Sequence, residues 1–543
     1  MLNLLRRYQT CFGSVMQKRF YRSNPFFKSA LENQSKVAIV DNKSQKQFTY
    51  SDLIKDSETL ACKLQKENKD IKGKRVCFLF DPSYDYVVAN MAIWMCGATC
   101  VPLCNSHPSK ELEYYIQDSQ SNIVLYGERF EDVIKPLKDD GNEQVNFKLL
   151  KELHAPQDHV EKDAQQLRNT EYNENDRALF IYTSGTTGPP KGVVSTHRTI
   201  MSQISSLVQA WEWRSTDHIM HVLPLHHVHG VVNVLLCPLH VGASLTFVRF
   251  DNKTVFHQLF DDNTQNPSGL DYTLFMAVPT IYVKLISYYK SLQPKQQEEF
   301  TKSNKNSKIR LMVCGSAALP TTVFEEWKKI SGHTLLERYG MTEIGMALSN
   351  PLHGDRIPGS VGTTLPLVRA KLQPTQEEEE ASQEGAQTGE LYIAGPTVFT
   401  EYWNKPEATK KTFEGEWFKT GDFASMDENG VYRILGRLNA DIIKTRGYKV
   451  SALDVERHAL EHPSIHECAV MGIEDKEWGE KIVALIVLHD GKADVTASEL
   501  REFLKDKMAS YKIPSELKIV KEIPKNAMGK VNKKQLKSKY VEL

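Results

Sequence analysis

The chain lacks any run of about 18 apolar residues that could cross a bilayer as a helix. The nearest approach, Val231 to Val248, is interrupted by Pro238, His240 and Gly242. It also lacks an excess of either charge, since Lys plus Arg and Asp plus Glu both number 68. Neither nucleic acid nor an anionic membrane is therefore implied as a main partner. Local runs, Glu377 to Glu380 and the lysine-rich tail after Lys521, read as solvated surface. Cysteine is sparse, with nine in 543 residues, and the thiols read as reduced. Cys96, Cys100 and Cys104 are spaced four apart, but Gly97 and Pro102 break any helix that would align them on a metal. That run reads as a turn entering a buried strand. No repeat of 20 to 50 residues is visible. Acidic residues are absent before Glu32, where Arg6, Arg7, Lys18, Arg19 and Arg22 stand among hydroxyls. This predicts a mitochondrial transit peptide over residues 1–24, cut near Tyr21 to Asn24.

What is present begins with 41% hydrophobic and 25% charged residues, the composition of a globular protein long enough for two domains. From Phe48, apolar strands such as RVCFLF alternate with helix-length stretches such as Tyr84 to Cys96. The alternation predicts an α/β fold of stacked β–α units on parallel sheets, continuing past residue 340. Gln373 to Thr388 reads as an exposed loop between strands. A Gly-Arg-rich junction near Gly436 then leads into about a hundred residues of mixed helix and strand. Boundaries follow at 31–436 for a large N-terminal domain and 441–543 for a small C-terminal one, with a hinge at 437–440.

The densest chemistry lies in YTSGTTGPPKGVV, Tyr182 to Val194. Gly185 and Gly188 let backbone N–H groups approach an anion, Thr183, Ser184, Thr186 and Thr187 donate to phosphate oxygens, and Lys191 adds a compact charge. Upstream, ALFIYTS reads as a strand, placing the loop at a sheet edge. No GxxxxGK[ST] can be threaded through it, so P-loop kinase mechanics do not transfer.

This order of residues resembles the phosphate loop of the adenylate-forming superfamily, which includes acyl-CoA synthetases, luciferases and peptide-synthetase adenylation domains. The pattern covers the chain from about residue 31 to its end. The resemblance implies a large multi-lobed N-terminal domain and a small α+β C-terminal lid, with ATP and Mg2+ needed and coenzyme A as co-substrate. In ERYGMTE, Tyr339 would stack on adenine, Thr342 would bond the α-phosphate, and Glu343 would hold the metal and act in catalysis. In WFKTGD, Asp422 would accept from the ribose hydroxyls, with Arg437 reaching the same sugar. Lys530, in PKNAMGKV, would be the lid's catalytic lysine. Lys444 to Lys449 would face the site in the thioester step, with Lys444 and Gly447 beside the thiol arm. Asn439 departs from the usual hinge residue. The chain ends soon after Lys530, so a free thiol is expected as acceptor and no fused carrier domain.

The acid is indicated by Arg338, where fatty- and aryl-acid relatives often carry glycine. A guanidinium there calls for a second carboxylate on the substrate; the competing reading is an internal pair with Glu337. Arg310 is a weaker second cation that could instead end a strand. His227 and His229, in LPLHHVHG, match the family's substrate-side histidine-rich motif on a strand-to-helix turn, with His227 favoured over His229 for the pocket, and Ser316 in GSAAL suits a short acid. Together these residues look most like those of malonyl-CoA synthetases, and with the presequence like mitochondrial ones. That implies malonate, with methylmalonate a poorer substrate, in the matrix, with small-molecule partners alone and no stable membrane insertion. Two alternatives stay open: a short- or medium-chain monocarboxylic acyl-CoA synthetase with a structural Arg338, and a non-catalytic nucleotide-binding protein.

Overall fold

The computed structural model describes residues 25–542 except 43–44, 69, 140–143, 154–166, 168–171, 184–188, 261–268, 304–307, 375–386, 439–440, 447 and 526–530. The proposed transit peptide lies outside the described residues.

Two large sheets share a helical layer. In the nine-stranded sheet, strands Val37–Asp41, Ser244–Phe247, His218–His221, Leu274–Ala277, Leu311–Gly315 and Leu336–Met341 run parallel in that spatial order. In the seven-stranded sheet, Arg177–Thr183, Thr99–Pro102, Arg75–Leu79, Ile123–Tyr126 and Asn146–Leu149 do the same. Both sheets are buried on both faces, because successive side chains alternate between two cores. Val76 and Phe78 join Leu274 and Met276 in the central core, while Cys77 and Leu79 face outward into one flanking core and Phe275 and Ala277 into another. Helices Tyr50–Glu67 and Tyr84–Met95 fill the layer between the sheets. Trp94 Nε1 donates to Ala178 O at 2.8 Å, so its indole ties this layer to the strand that feeds the phosphate loop.

The parallel regime runs just past residue 340, as the sequence pattern predicts, and stops at Met341. Thr342 to Ile344 form a turn, and Gly345 at φ 63° sends strand Gly345–Ser349 back antiparallel to Leu336–Met341. Between residues 369 and 437 the described strands pair antiparallel: Glu401–Tyr402 joins the edge of the seven-stranded sheet, and Arg369–Gln373, Gln387–Ala394, Phe413–Glu414, Trp417–Met426 and Tyr432–Arg437 build a third sheet. Such strands need only short connections, and the one helix among the described residues between them is the short Pro406–Thr412. Of the expected exposed loop Gln373 to Thr388, residues 375–386 lie outside the described residues, while Gln373, Gln387 and Thr388 belong to paired strands.

After the junction a separate core forms. Strands Ile442–Thr445, Tyr448–Ser451, Ile465–Asp475, Gly479–Leu488 and Glu516–Ile519 make a mixed sheet packed by helices Ala452–Ala459 and Ala497–Leu504. The fold is thus mixed α/β, with a large N-terminal part and a small C-terminal one. No described helix is long and apolar enough to cross a membrane. Eight described cysteines are free and buried, and no metal-binding cluster of His, Cys, Asp and Glu occurs among the described residues. Met95 ends a helix and Cys100 lies on the buried strand Thr99–Pro102, as the broken spacing predicted.

Candidate active site

Leu311–Gly315 and Leu336–Met341 are adjacent parallel strands, and their register sets Gly315 beside Arg338 at the carboxyl end of the sheet. That edge is where α/β folds hold ligands. A Cβ on Gly315 would lie 2.8 Å from Arg338 Cζ and 2.9 Å from its Nε, so glycine alone leaves room for the guanidinium. Arg338 is 2% exposed. Its Nη2 donates to Ser316 Oγ at 3.2 Å, and its Nε has no hydrogen-bond partner among the described residues. Burial pulls its pKa down to about 10.

Two further features shape this corner. Ser316 sits in the left-handed region at φ 73°, a strained conformation for a residue with a Cβ. Its hydroxyl lies 3.4 Å from His229 Nδ1. His229 opens the π-helix His229–Leu236, a form of helix common at functional sites. Burial, then Arg338, drives the His229 pKa well below its ordinary value, so the ring is neutral and its Nε2 is unpartnered among the described residues.

Glu337 does not neutralise Arg338. Neighbours on a strand point to opposite faces, and Glu337 instead accepts from the Leu319 N–H at 3.2 Å. Burial raises its carboxyl to about 7, and the cations opposing that rise are Arg457 and Arg433. Arg310 is likewise placed away from Arg338. It precedes the opposite end of strand Leu311–Gly315, pairs with Asp217 at 2.6 Å, and donates to the carbonyls of Trp211 and Glu212. The reading of Arg310 as a substrate cation is therefore corrected to a buried ion pair that closes the strand's entry.

The residues after Arg338 build a second cluster. Tyr339 donates its hydroxyl to Asp422 at 2.5 Å, and Arg437 Nε lies 2.8 Å from the other Asp422 oxygen. Asp422 and Arg437 face each other across paired strands, which fixes their approach. Glu343 accepts from Tyr402 OH at 2.8 Å, and Lys191 Nζ lies 4.8 Å from the centre of the Tyr402 ring. Burial raises the Glu343 pKa, opposed by the Tyr402 hydroxyl, Arg437 and Lys191. Thr342 lies half-buried in the turn just before it. Tyr402 carried no motif of its own in the sequence; a strand pairing with Lys191–Thr196 brings it in.

The phosphate loop is anchored by an antiparallel pair, Thr183 opposite Lys191. Ser184, Gly185, Thr186, Thr187 and Gly188 lie outside the described residues, as do Asn439, Gly447 and Lys530. Lys444 is described and exposed, its backbone N–H donating to Glu480 at 2.7 Å. His227 is half-buried and its ring lies 4.1 Å from that of His226; the strand-to-helix turn is as predicted, but His229 is the histidine that reaches Ser316. The stretch LPLHHVHG was visible in the sequence, whereas the choice among its histidines depends on where the π-helix begins.

Residues 26–403 match the AMP-binding enzyme family and residues 454–530 match its AMP-binding enzyme C-terminal domain. The chain belongs to the AMP-binding enzyme family. It is 46% identical over 539 residues to the mitochondrial malonate–CoA ligase ACSF3 of Xenopus laevis, covering 94% of this chain and 91% of that protein. Among solved structures it resembles ATP-bound MatB from Rhodopseudomonas palustris, with a TM-score of 0.81 and 28% identity over 96% of this chain and 99% of that one. It also resembles the o-succinylbenzoate coenzyme A synthetase MenE of Bacillus subtilis in complex with ATP and magnesium, at TM-score 0.78 and 25% identity over 95% and 99%.

Proposed function

We propose that this chain is an AMP-forming malonate–CoA ligase of the mitochondrial matrix. Malonate and ATP form malonyl-adenylate and pyrophosphate; coenzyme A then gives malonyl-CoA and AMP. The observation that carries the acid is Arg338. A buried guanidinium whose only described hydrogen-bond partner is a neutral hydroxyl is costly, and a substrate carboxylate at that end repays the cost through charge-assisted hydrogen bonds. Ser316 and neutral His229 add one hydroxyl and one ring nitrogen beside it, enough for a short diacid.

In the first half-reaction the near carboxylate attacks the α-phosphorus, and the bond to pyrophosphate breaks. Residues Thr183 to Gly188 and Lys191 grip the departing phosphates, Tyr339, Asp422 and Arg437 hold the nucleoside, and Lys530 brings charge to the α-phosphate. A hard divalent cation fits this cluster, because Glu343 offers a buried carboxylate next to the Thr342 hydroxyl and phosphates complete such a shell. When bound, Mg2+ supplies charge neutralisation on the phosphates. In the second half-reaction the thiol attacks the acyl carbon and AMP leaves, with Lys444 and Gly447 on the thiol's path. The domain limits 31–436, 437–440 and 441–543 belong to this reading, as does removal of residues 1–24. The basic, acid-free start of the chain supports the matrix assignment, as does the mitochondrial name of the Xenopus relative.

Pyrophosphate release measured with malonate, methylmalonate, acetate, butyrate and octanoate tests the proposal. Malonate should give the highest kcat/KM and methylmalonate a lower one. A preference for any monocarboxylic acid sinks the reading.

A further inference from the structure

Lys533 begins the C-terminal helix Lys533–Glu542, and its side chain is only 10% exposed. Its Nζ lies 2.6 Å from Asp441 Oδ1 and 2.8 Å from Glu456 Oε1, both carboxylates being nearly as buried. Taking three charges out of water together is a poor way to gain stability, and such groups earn their place where they fix one arrangement over another. Burial raises the Glu456 carboxyl, and the Lys533 ammonium opposes that rise.

What the triad joins is specific. Asp441 Oδ2 accepts the Arg437 N–H at 3.0 Å, and the Asp441 N–H donates to the Arg437 carbonyl at 2.8 Å. Arg437 in turn pairs with Asp422 at 2.8 Å. Glu456 also accepts the Val470 N–H at 2.7 Å, which anchors it to the C-terminal sheet. On the other side, an isolated bridge pairs Lys525 with Val531 at the two ends of the segment that contains residue 530. The incoming arm of that segment is tied by Lys525 to Glu467 at 2.5 Å, and the outgoing arm by Lys533 two residues beyond the bridge.

We propose that Lys533 is a positioning residue, whose ion pairs with Asp441 and Glu456 fix the start of its helix, three residues after Lys530, against the Arg437 junction, so that adenylate formation requires it. This rests on the reading of Lys530 as the adenylation lysine. Thioester formation does not use Lys530 and depends on Lys533 far less. A displacement of about 1 Å at a reacting group can cost on the order of 100-fold. Loss of the ammonium frees the helix start from Asp441 and Glu456, and a shift of that order is the expected consequence.

The test uses the full chain and measures the two half-reactions separately: single-turnover adenylate formation from malonate and ATP, and thioester formation from synthetic malonyl-adenylate and coenzyme A. Lys533→Met should slow the first roughly 100-fold and the second less than about threefold. Lys533→Arg, whose fork can engage both carboxylates, should recover most of the loss. Equal losses in both half-reactions, unrestored by arginine, would assign Lys533 to the fold alone, and unchanged adenylation in Lys533→Met would overturn the proposal outright. Lys530→Ala separates the two levels of inference. If it abolishes adenylation while Lys533→Met does not impair it, only the positioning role falls; if it leaves adenylation intact, the reading of Lys530 falls and this proposal with it.

Discussion

Arg310 and Arg338 stand near opposite ends of two adjacent strands in one sheet, both largely buried, and they differ in what they face. Arg310 meets the carboxylate of Asp217 and two backbone carbonyls, a fully matched guanidinium. Arg338 meets one hydroxyl and leaves its Nε unmatched among the described residues. The first arrangement belongs to the fold, because the chain supplies every partner. The second leaves a charge that the described residues do not match, which is why it is proposed as a recognition element. The same contrast separates the two clusters of the candidate site. Tyr339, Asp422, Arg437, Glu343 and Tyr402 satisfy one another in the cluster proposed to hold the nucleotide, while the cluster proposed for the acid keeps an uncompensated cation.

The strongest way to break this comparison is Arg338→Met. Malonate kcat/KM should fall by two to three orders of magnitude, about 3–4 kcal/mol, with the KM for ATP nearly unchanged. Thermal stability should not drop, since an unpaired buried charge is removed. Equal loss for malonate and ATP would mark Arg338 as structural. Arg310→Met should do the reverse, leaving the malonate KM intact while lowering unfolding free energy by about 3 kcal/mol, because Asp217 remains buried without its cation. A denaturant melt decides it.

Glu337 sharpens the comparison through pH. Burial pushes its carboxyl up to about 7 from an ordinary value of 4.5, so the folded state binds the proton more tightly than the unfolded one. Stability from this group is full below about pH 4.5, declines as pH rises between those two values, and stays reduced above about 7. Glu337→Gln should therefore flatten the fall in melting temperature between pH 5 and 7, a difference of order 2–3 kcal/mol. An unchanged pH profile would show that Glu337 is ionised through the cations beside it. The smallest effect is expected from Ser316→Ala, which removes one neutral hydrogen bond from Arg338 and should raise the malonate KM roughly fivefold, about 1 kcal/mol. No change would mean that substrate reaches Arg338 without Ser316.

Much of the site was legible because its chemistry is local. The ERYGMTE segment places Arg338, Tyr339, Thr342 and Glu343 within one strand and turn. An internal Glu337–Arg338 pair stayed open in the sequence until the strand Leu336–Met341 sent the two side chains to opposite faces. Alternating apolar and helix-length segments likewise predicted parallel sheets. The antiparallel third sheet was not read, since its short strands lack the long crossovers that announce parallel pairing. Arg310 was misread for a related reason: a lone arginine before a strand carries no sign of Asp217, distant in sequence and brought beside it only by the sheet.

By itself, then, the sequence determined the family and the order of the motifs, because those depend on short segments with fixed local geometry. Tertiary structure decided which charges are matched. It gave Arg310 its carboxylate and left Arg338 without one among the described residues, set His229 beside Ser316, and brought Tyr402 to Glu343 and Lys533 to Asp441. Burial and pairing are properties of neighbours far apart in the chain, and only the packed fold specifies them.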